Sequence, residues 1–159
     1  MGKTCSLCGR ENKETVTVDG KIICVSCMYG PVEPVKIYPI GFVVNEQQRA
    51  VRGFGLKNPE QVSRIELFES QKPFMYKLED EEKITVIYYL HKSGPVRSVF
   101  NRGYDGKKTG VFASRTPDRL SGLAIQDVSI VKIEGTTLYV RGLDAINGSP
   151  VLDIKMCRP

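Results

Sequence analysis

The sequence predicts a mostly β protein, an antiparallel sandwich or barrel, with a small zinc-ribbon unit in front of it. Short apolar or alternating runs follow one another from residue 40 onward, joined by short turns and without amphipathic helices between them. Two C-x-x-C pairs lie within the first 27 residues. Three prolines in the stretch 30–39 indicate an extended linker. We place the boundary near residue 34, between a zinc unit at 1–34 and a domain at 35–159.

The spacing of four cysteines predicts a metal site. Cys5 and Cys8 form one pair, Cys24 and Cys27 form the other, and fifteen residues separate the pairs. Each C-x-x-C turn directs two thiolates at one point, so two such turns complete the tetrahedral shell of Zn²⁺. Four protein ligands leave no open position, so we expect a structural zinc ion. Two disulfides are the competing interpretation, which a cytoplasmic location disfavours.

The segment between the cysteine pairs predicts a β-hairpin. In ETVTVDGKIIC, alternating Thr and Val precede an Asp19-Gly20 turn, and Ile22 and Ile23 follow it. Two roles are open for this unit: recognition of a nucleic acid or a protein, or a small fold in which zinc replaces a hydrophobic core. Cys157 stands apart from the other cysteines, and we expect it to be a packing residue.

Composition limits the class of protein. The chain has 159 residues, 41% of them apolar, which suits one domain with a small appendage. One His and no Trp exclude catalytic schemes that need several histidines. The net charge of +5 favours an anionic partner such as nucleic acid, although solubility alone would also account for it. No apolar run approaches the ~20 residues of a transmembrane helix. We expect a cytoplasmic protein that does not bind a membrane.

The predicted strands of the larger domain are short and closely spaced. Hairpin turns are expected at 134–136 and at Asn147-Gly148, and the charged stretch 77–83 is expected to be a turn or a short helix. A two-residue period places Asp153 and Lys155 on the same face as Val151. The strand candidates are 40–44, 63–69, 84–91, 110–114, 125–134, 137–143 and 150–155.

The stretch GVFASRTPDRLSGLAI (110–125) is the most unusual part of the chain. It begins like a strand with Val111 and Phe112, then places Arg115 and Arg119 around Thr-Pro-Asp before a Ser-Gly turn. One interpretation is that the two arginines hold an anionic ligand, because a guanidinium pairs with carboxylates in a forked geometry. The other is that Arg119 pairs with Asp118 or Asp127 and only closes the turn.

Several blocks of the sequence resemble the TrmO (TsaA-like, YaeB) family of S-adenosylmethionine-dependent tRNA methyltransferases. GVFASRTPDR and then IEGTTLYVRGLDAINGSPVLDIK are similar to the core motifs of that family. The earlier runs YPIGFVVN, VSRIELFE and ITVIYYLH resemble its first strands. The resemblance covers about residues 36–159 and leaves out the zinc unit.

The resemblance implies a small antiparallel β-barrel, a homodimer, and a site for S-adenosylmethionine. Family members methylate N6 of threonylcarbamoyl-adenosine beside the tRNA anticodon. The positions that match the family's motifs are the cofactor loop (Arg115, Arg119, Ser121, Gly122 and Leu123), the C-terminal motif (Asp144, Asp153 and Lys155) and the strand-end His91.

The chemistry of methyl transfer is compatible with these assignments but does not decide which residue has which role. Asp144, Asp153 or His91 are the candidates to take the proton of the attacking nitrogen. Asp153 and Lys155 are also candidates to bind the cofactor, and Lys107 and Lys108 suit the phosphates of tRNA.

The cofactor loop departs from the family pattern. Where the family has Arg-Pro-Asn-Pro-Ile-Gly-Leu, this chain has Arg119-Leu-Ser-Gly-Leu-Ala-Ile125, so two prolines and an asparagine are replaced. Three outcomes stay open: the same enzyme with a repacked loop, the same cofactor with another methyl acceptor, or a non-catalytic RNA- or protein-binding module with a degenerate cofactor site.

Overall fold

A computed structural model describes residues 1–49 and 58–158 of the chain. The chain folds as two compact units, one made of Met1–Lys36 and Ser93–Ser121 and the other of Ile37–Lys92 and Gly122–Pro159. In the described residues the strands are β1 (Lys3–Thr4), β2 (Glu11–Asn12), β3 (Thr15–Val18), β4 (Lys21–Cys24), β5 (Gly41–Val44), β6 (Val62–Leu67), β7 (Lys83–Tyr89), β8 (Val99–Asn101), β9 (Lys108–Gly110), β10 (Leu123–Glu134), β11 (Thr137–Arg141) and β12 (Pro150–Met156).

Helical structure is scarce. The described residues contain one short α-helix, α1 (Val25–Tyr29), and 3₁₀ turns at Glu69–Met75, Leu78–Asp80 and Val111–Ala113. The turn at Leu78–Asp80 agrees with the predicted turn or short helix at 77–83. No helix in this part of the chain has the length and apolar character needed to cross a bilayer.

The second unit is a closed antiparallel barrel of six strands. Its strands follow the order β10-β11-β6-β5-β12-β7, and β7 pairs again with β10 to close the ring. Closure pairs the strand edges that would otherwise template aggregation. The predicted β-barrel with a small cysteine-bearing unit before it is therefore confirmed.

Alternating side chains fill the interior of the barrel. In β7, for example, Ile84, Val86 and Tyr88 are buried, whereas the residues between them are more exposed. This period of two is what the strand geometry requires when one face is packed and the other is wet. The buried core consists of Val43, Ile65, Leu67, Met75, Ile84, Val86, Tyr88, Val128, Leu138, Val140, Leu143, Ala145 and Val151.

One predicted hairpin turn is confirmed and the other is wrong. Glu134 pairs with Thr137 across a two-residue loop that joins β10 to β11. Asn147-Gly148 is a turn but not a hairpin, because β11 pairs with β6 and β10 while β12 pairs with β5 and β7. Its amides instead donate to β5 and the segment after it: Gly148 to the Val43 carbonyl and Asn147 to the Gln47 carbonyl, both at 2.7 Å.

A β-bulge in β12 corrects the predicted faces of the C-terminal motif. The register shifts between Val151 and Asp153. Val151 therefore pairs with the buried Tyr88, whereas Asp153 pairs with Ile87 on the outer face of β7. Because an extra residue reverses the alternation, Asp153 and Lys155 lie on the opposite face from Val151.

The first unit contains three two-stranded hairpins, β1–β2, β3–β4 and β8–β9. The predicted hairpin β3–β4 is confirmed, and its turn residues Asp19 and Gly20 both have positive φ, 50° and 76°. Positive φ at both positions is typical of a type I′ turn, which matches the twist of the strands.

The predicted strand at 110–114 is wrong. Strand β9 ends at Gly110, and Val111–Ala113 form a 3₁₀ turn. The Ser114 amide and hydroxyl both donate to the Val111 carbonyl, at 3.1 and 2.8 Å, which closes the turn. Val111 is buried, but Phe112 and Ala113 after it are both exposed, so the alternation of a strand does not continue here.

Gly41 is a position where only glycine fits the barrel. A Cβ added to it would lie 2.3 Å from the Glu66 carbonyl oxygen in the paired strand β6. We expect Gly41→Ala to push β5 from β6 and lower the free energy of unfolding by about 1–3 kcal/mol in urea denaturation.

Gly103→Ala is the control, because no atom lies within 4 Å of its added Cβ. A Gly41→Ala variant as stable as this control would contradict the close strand approach.

Candidate metal centre and cofactor-site residues

The four predicted zinc ligands converge on one point. The Sγ atoms of Cys5, Cys8, Cys24 and Cys27 all lie within 4.8 Å of one another. A tetrahedral Zn²⁺ with bonds of about 2.3 Å needs sulfurs about 3.8 Å apart, and Cys8 Sγ and Cys24 Sγ are 3.9 Å apart. The cysteines are all free, so the disulfide interpretation does not describe this structure.

Local backbone structure positions each sulfur. The first cysteine pair lies in the turn between β1 and β2, where Gly9 takes a positive φ of 71°. The second pair spans the end of β4 and the start of α1. The two are tied together by the Ser6 amide, which donates to the Ile22 carbonyl at 2.8 Å.

Backbone amides stabilise negative charge on the sulfurs. The Cys24 amide donates to Cys5 Sγ at 3.3 Å and the Leu7 amide at 3.4 Å. Hydrogen bonds from the Cys24 amide first, and then the Cys8 amide, lower the pKa of the Cys5 thiol to about 6. The Ser26 hydroxyl is the main cause of the lowered pKa of Cys24.

The crowding of the sulfurs fits a cation at their centre. Contact with the Cys24 and Cys8 sulfurs raises the pKa of Cys27 to about 12. Four thiolates cannot share this space without a positive charge between them, and Zn²⁺ supplies that charge. The donor set of four cysteines therefore fits a structural zinc ion.

The predicted cofactor residues are divided between the two units. Arg115, Arg119 and Ser121 belong to the first unit, together with Lys107 and Lys108. The barrel carries Gly122, Leu123, Asp144, Asp153, Lys155 and His91.

Arg119 binds the backbone of its own loop. Its Nε donates to the Thr116 carbonyl at 2.8 Å, and its Nη2 donates to the Ser114 carbonyl at 2.8 Å and the Val111 carbonyl at 3.2 Å. It does not pair with Asp118, which pairs with Arg97 at 3.7 Å. The predicted pairing of Arg119 with an aspartate is therefore wrong, although Arg119 does close the turn.

Arg115 is the exposed arginine of the same loop. Within residues 1–49 and 58–158 its guanidinium makes no hydrogen bond or ion pair. Arg119 fixes the carbonyls of Ser114 and Thr116 on either side of Arg115. The loop thus presents one guanidinium whose donors are free for an anion. Lys107 and Lys108, at the β8–β9 hairpin, are also exposed.

Asp144 lies in a polar network at one end of the barrel. Gln47 Nε2 donates to its carboxylate at 3.1 Å, and its own amide donates to Gln126 Oε1 at 2.7 Å. The Tyr88 hydroxyl donates to the Asp144 carbonyl at 3.2 Å. Burial raises the pKa of the Asp144 carboxyl, and the Gln47 hydrogen bond only partly opposes this.

His91 follows β7 and carries an unpartnered buried nitrogen. Within the described part of the chain, Nδ1 is buried and has no hydrogen-bond partner. Burial first, and then the charge of Lys92, lower the pKa of His91. Its Nε2 would lie 3.7 Å from a Cβ added to Gly148, so the imidazole packs close to the 147–148 turn.

Asp153 and Lys155 pair with each other on the outer face of the barrel. Lys155 Nζ lies 2.8 Å from Asp153 Oδ2, and the Ile154 amide donates to Asp153 Oδ1 at 2.9 Å. Both side chains are about half exposed, so the ion pair is accessible to solvent.

Gly122 holds a backbone conformation that a proline cannot adopt. Its φ is +63°, and an added Cβ would lie 2.6 Å from the Tyr89 ring. Its carbonyl accepts from the Leu90 amide at 2.7 Å. Proline fixes φ near −65°, so the loop leading to Leu123 follows a different path from a loop with proline here.

Sequence reasoning missed the polar residues that surround Asp144. Asn45 Nδ2 donates to the Ser63 hydroxyl and the Ala145 carbonyl, at 3.0 and 2.8 Å. Asn147 Oδ1 accepts from the Asn45 amide at 3.1 Å. Their signal in the sequence is a polar residue directly after an apolar run, as in YPIGFVVN, which a strand-by-strand interpretation treats as solvent-exposed.

Loss of one zinc ligand tests the metal centre. We expect the wild-type chain to bind one Zn²⁺ and Cys24→Ser to bind none, because three thiolates hold zinc far more weakly. Elemental analysis after gel filtration measures the zinc content. Cys157→Ser is the control and keeps the metal, and a Cys24→Ser variant with full zinc content would contradict the site.

The buried charge of Asp144 gives a test by pH. Because burial raises its pKa, the fold favours the protonated form, and that contribution is lost as pH rises through the raised pKa. Asp144→Asn avoids this loss, so we expect Tm to rise by roughly 1–3 °C at pH 7.

Differential scanning calorimetry between pH 4 and 8 measures the effect, and the gain should shrink towards pH 4. Asp153→Asn, which removes an exposed ion pair, should give no gain. An Asp144→Asn variant less stable than wild type at pH 7 would contradict the account.

Comparison with known proteins connects these residues to a family. The family described as the tRNA-methyltransferase O N-terminal domain matches residues 46–158, which is more than half of the chain. A protein named S-adenosyl-L-methionine-binding protein from Archaeoglobus fulgidus is 34% identical over 98 residues, covering 62% of this chain and 70% of that protein.

Two other relatives match over a similar stretch of this chain. A probable S-adenosyl-L-methionine-binding protein from Methanothermobacter thermautotrophicus is 40% identical over 94 residues, covering 58% of this chain and 67% of that protein. The tRNA (adenine(37)-N6)-methyltransferase of Mus musculus is 33% identical over 95 residues, covering 58% of this chain and only 22% of the mouse protein.

The solved structures show the same fold. The crystal structure of TrmO from Pseudomonas aeruginosa superposes with a TM-score of 0.63 at 24% identity, covering 80% of this chain and 57% of that one. The chain thus spans under three fifths of that structure's length. The match over residues 46–158 includes most of the barrel and the loop of Arg115. The chain therefore belongs to the family of the tRNA-methyltransferase O N-terminal domain.

Proposed function

We propose that this chain is an S-adenosylmethionine-dependent methyltransferase that acts on tRNA, at N6 of threonylcarbamoyl-adenosine next to the anticodon. Family membership over residues 46–158 is the observation that carries the proposal. Relatives named for S-adenosylmethionine binding or for methylation of adenine 37 in tRNA support both halves of it.

In this proposal, Arg115 recognises the cofactor. S-adenosylmethionine, when bound, supplies a methyl group on a positively charged sulfur. Its amino-acid tail ends in a carboxylate, which suits the free guanidinium of Arg115 as a forked partner. Arg119 acts indirectly, by fixing the loop through the carbonyls of Ser114 and Thr116. Ser121, Gly122 and Leu123 stay predicted parts of the same cofactor loop.

Proton removal is the chemical task left to the side chains. When the N6 nitrogen gains a methyl group, its N–H bond must break and the proton must pass to a base. Asp144 and His91 are the better candidates. The raised pKa of Asp144 makes its carboxylate more basic, and the lowered pKa of His91 keeps the imidazole neutral at pH 7. Asp153 is less suitable, because it is already paired with Lys155.

The charge distribution supports an RNA partner for the first unit. That unit, Met1–Lys36 with Ser93–Ser121, holds eleven Lys and Arg against six Asp and Glu, a net charge of +5. This equals the net charge of the whole chain, so the barrel unit is neutral. Lys107 and Lys108 belong to this excess. Cationic side chains bind phosphates with release of counterions, so we assign RNA contact to this unit.

The proposal includes a homodimer in the cytoplasm. Both are implied by the resemblance to the methyltransferase family. The boundary near residue 34, with the zinc unit at 1–34, also stays part of the proposal. The first compact unit of the structure contains Ser93–Ser121 in addition to the N-terminal residues.

A second candidate function is a non-catalytic module that binds RNA or protein. The conformation of Gly122 favours it, because a φ of +63° excludes the proline that the family places there. A loop with a different path can keep the barrel and lose the cofactor, since a fold does not fix a function. Cofactor binding separates the two candidates.

Titration with S-adenosylmethionine by calorimetry tests the proposal. We expect binding in the micromolar range for the zinc-loaded chain, and a loss of about tenfold or more in Arg115→Ala, because a charge-assisted bond is worth about 1.5–3 kcal/mol. The titration is repeated with tRNA present, in case the acceptor binds first.

Arg10→Ala is the matched control, because it removes the same charge from an exposed position of the same unit. The absence of binding up to millimolar cofactor, with and without tRNA, would overturn the enzyme in favour of the binding module. Equal affinity in Arg115→Ala and Arg10→Ala would remove Arg115 from the cofactor site.

A further inference from the structure

Within the first unit, the β3–β4 hairpin contacts the segment that carries the arginines. We define the arginine segment as residues 93–121. The Asp19 amide donates to the Val96 carbonyl at 3.0 Å, and Val18 and Val96 form a parallel β-bridge. The Asp19 carboxylate accepts from both the amide of Ser98, at 3.0 Å, and its hydroxyl. These hydrogen bonds from Ser98 lower the pKa of Asp19.

The contact with Ser98 continues into the cofactor loop. The Ser98 carbonyl accepts from the Val111 amide at 3.0 Å, so the residue held by Asp19 also holds the start of the 3₁₀ turn. The Val111 carbonyl in turn accepts from Arg119 Nη2 at 3.2 Å. A series of hydrogen bonds therefore runs from Asp19 to the loop that contains Arg115.

A second tie joins the two ends of the arginine segment. The Arg97 amide donates to the Asp118 carbonyl at 3.1 Å, and Arg97 Nε lies 3.7 Å from Asp118 Oδ2. Arg97 lies between Val96 and Ser98, the two residues that contact the hairpin. When the contact of Asp19 with Ser98 is lost, the start of the arginine segment is therefore no longer held. Because Arg97 at this start bonds to Asp118, the end of the segment loses a fixed partner as well.

The hairpin has too small a core to stay ordered without its metal. The buried cluster around it consists of Cys5, Ile23 and Cys24, with Val16, Val18 and Met28 partly buried against them, and two of the three buried residues are predicted zinc ligands. Domains of this size obtain their folding free energy from metal binding. Because β3 and β4 meet at Asp19-Gly20, the position of the Asp19 carboxylate depends on the order of the hairpin.

We propose that metal occupancy of the four-cysteine site controls the order of the arginine segment through the contact between Asp19 and Ser98. Asp19 is then a positioning residue, and the zinc site acts on the cofactor loop from within the same unit. The consequence for S-adenosylmethionine rests on the proposed function, whereas the ordering of the segment does not.

Asp19 occupies a turn position, so the test must separate the turn from the contact. Aspartate and glycine both suit the positive φ of a type I′ turn. Asp19→Gly therefore keeps the turn and removes every contact of the carboxylate. Asp19→Asn keeps one acceptor and should restore part of the effect. Ser98→Ala removes the hydroxyl from the other side of the contact.

Hydrogen exchange measured by mass spectrometry on the zinc-loaded full chain is the experiment. We expect Asp19→Gly to speed amide exchange across residues 96–119 by about tenfold or more, with zinc content and barrel protection unchanged. Ser98→Ala should give a smaller change in the same peptides. Wild type treated with a chelator should lose protection in 96–119 and in the β3–β4 hairpin together.

Asp105→Gly is the matched control. The Asp105 carboxylate also accepts from a backbone amide, that of Lys107 at 3.1 Å, but it lies at the tip of the β8–β9 hairpin. Its loss should affect only residues near 102–107.

The proposal is overturned if 96–119 keeps wild-type protection in both Asp19→Gly and Ser98→Ala, or in the metal-free chain. Exchange is read without cofactor, so a failure to bind S-adenosylmethionine would sink the proposed function and leave this result standing.

Discussion

The closed ring of six antiparallel strands is the constraint on which the barrel unit depends. To close it, β12 must pair with β5 on one side and β7 on the other. Apolar side chains fill the interior of the ring, so polar groups lie at its ends and on its outer face. Asp144 and His91 lie at such ends, and burial shifts the pKa of both groups away from their ordinary values. Strand closure thus creates partly buried positions at which the pKa values of ionisable groups are shifted.

The first unit is stabilised by different means. It has no comparable core; four sulfurs meet at one point, and Ser98 donates hydrogen bonds to the Asp19 carboxylate, the two features to which we assign its order. The net charge of this unit, +5, equals that of the whole chain, and the unit carries the exposed Arg115. Arg115 is exposed, and its guanidinium makes no contact among the described residues, so it is available to bind an anion. Each unit is therefore stabilised by its own means, the barrel by its apolar core and the first unit by its metal site, and we assign recognition to the zinc-bearing unit.

The sequence predicted the parts of the structure that local patterns determine. Two-residue periodicity located the barrel strands, Asp19-Gly20 located the hairpin, and C-x-x-C spacing located the metal centre. It failed where a distant contact decides the conformation. The bulge after Val151 and the 3₁₀ turn at Val111 depend on pairing with β7 and on the Ser98 carbonyl, neither of which a local pattern contains. The candidate site was predictable in its residue types, but not in the contacts of Arg119, which binds carbonyls of its own loop.

Methyl transfer itself tests the central claim most directly. The zinc-loaded chain is incubated with S-adenosylmethionine that carries a labelled methyl group and with tRNA bearing threonylcarbamoyl-adenosine, and the nucleosides are analysed by mass spectrometry. The account predicts label on that nucleoside, and none when the tRNA carries unmodified adenosine at the same position. Cofactor binding without label on any nucleoside would contradict the enzyme and identify the chain as a binding module built on a methyltransferase fold.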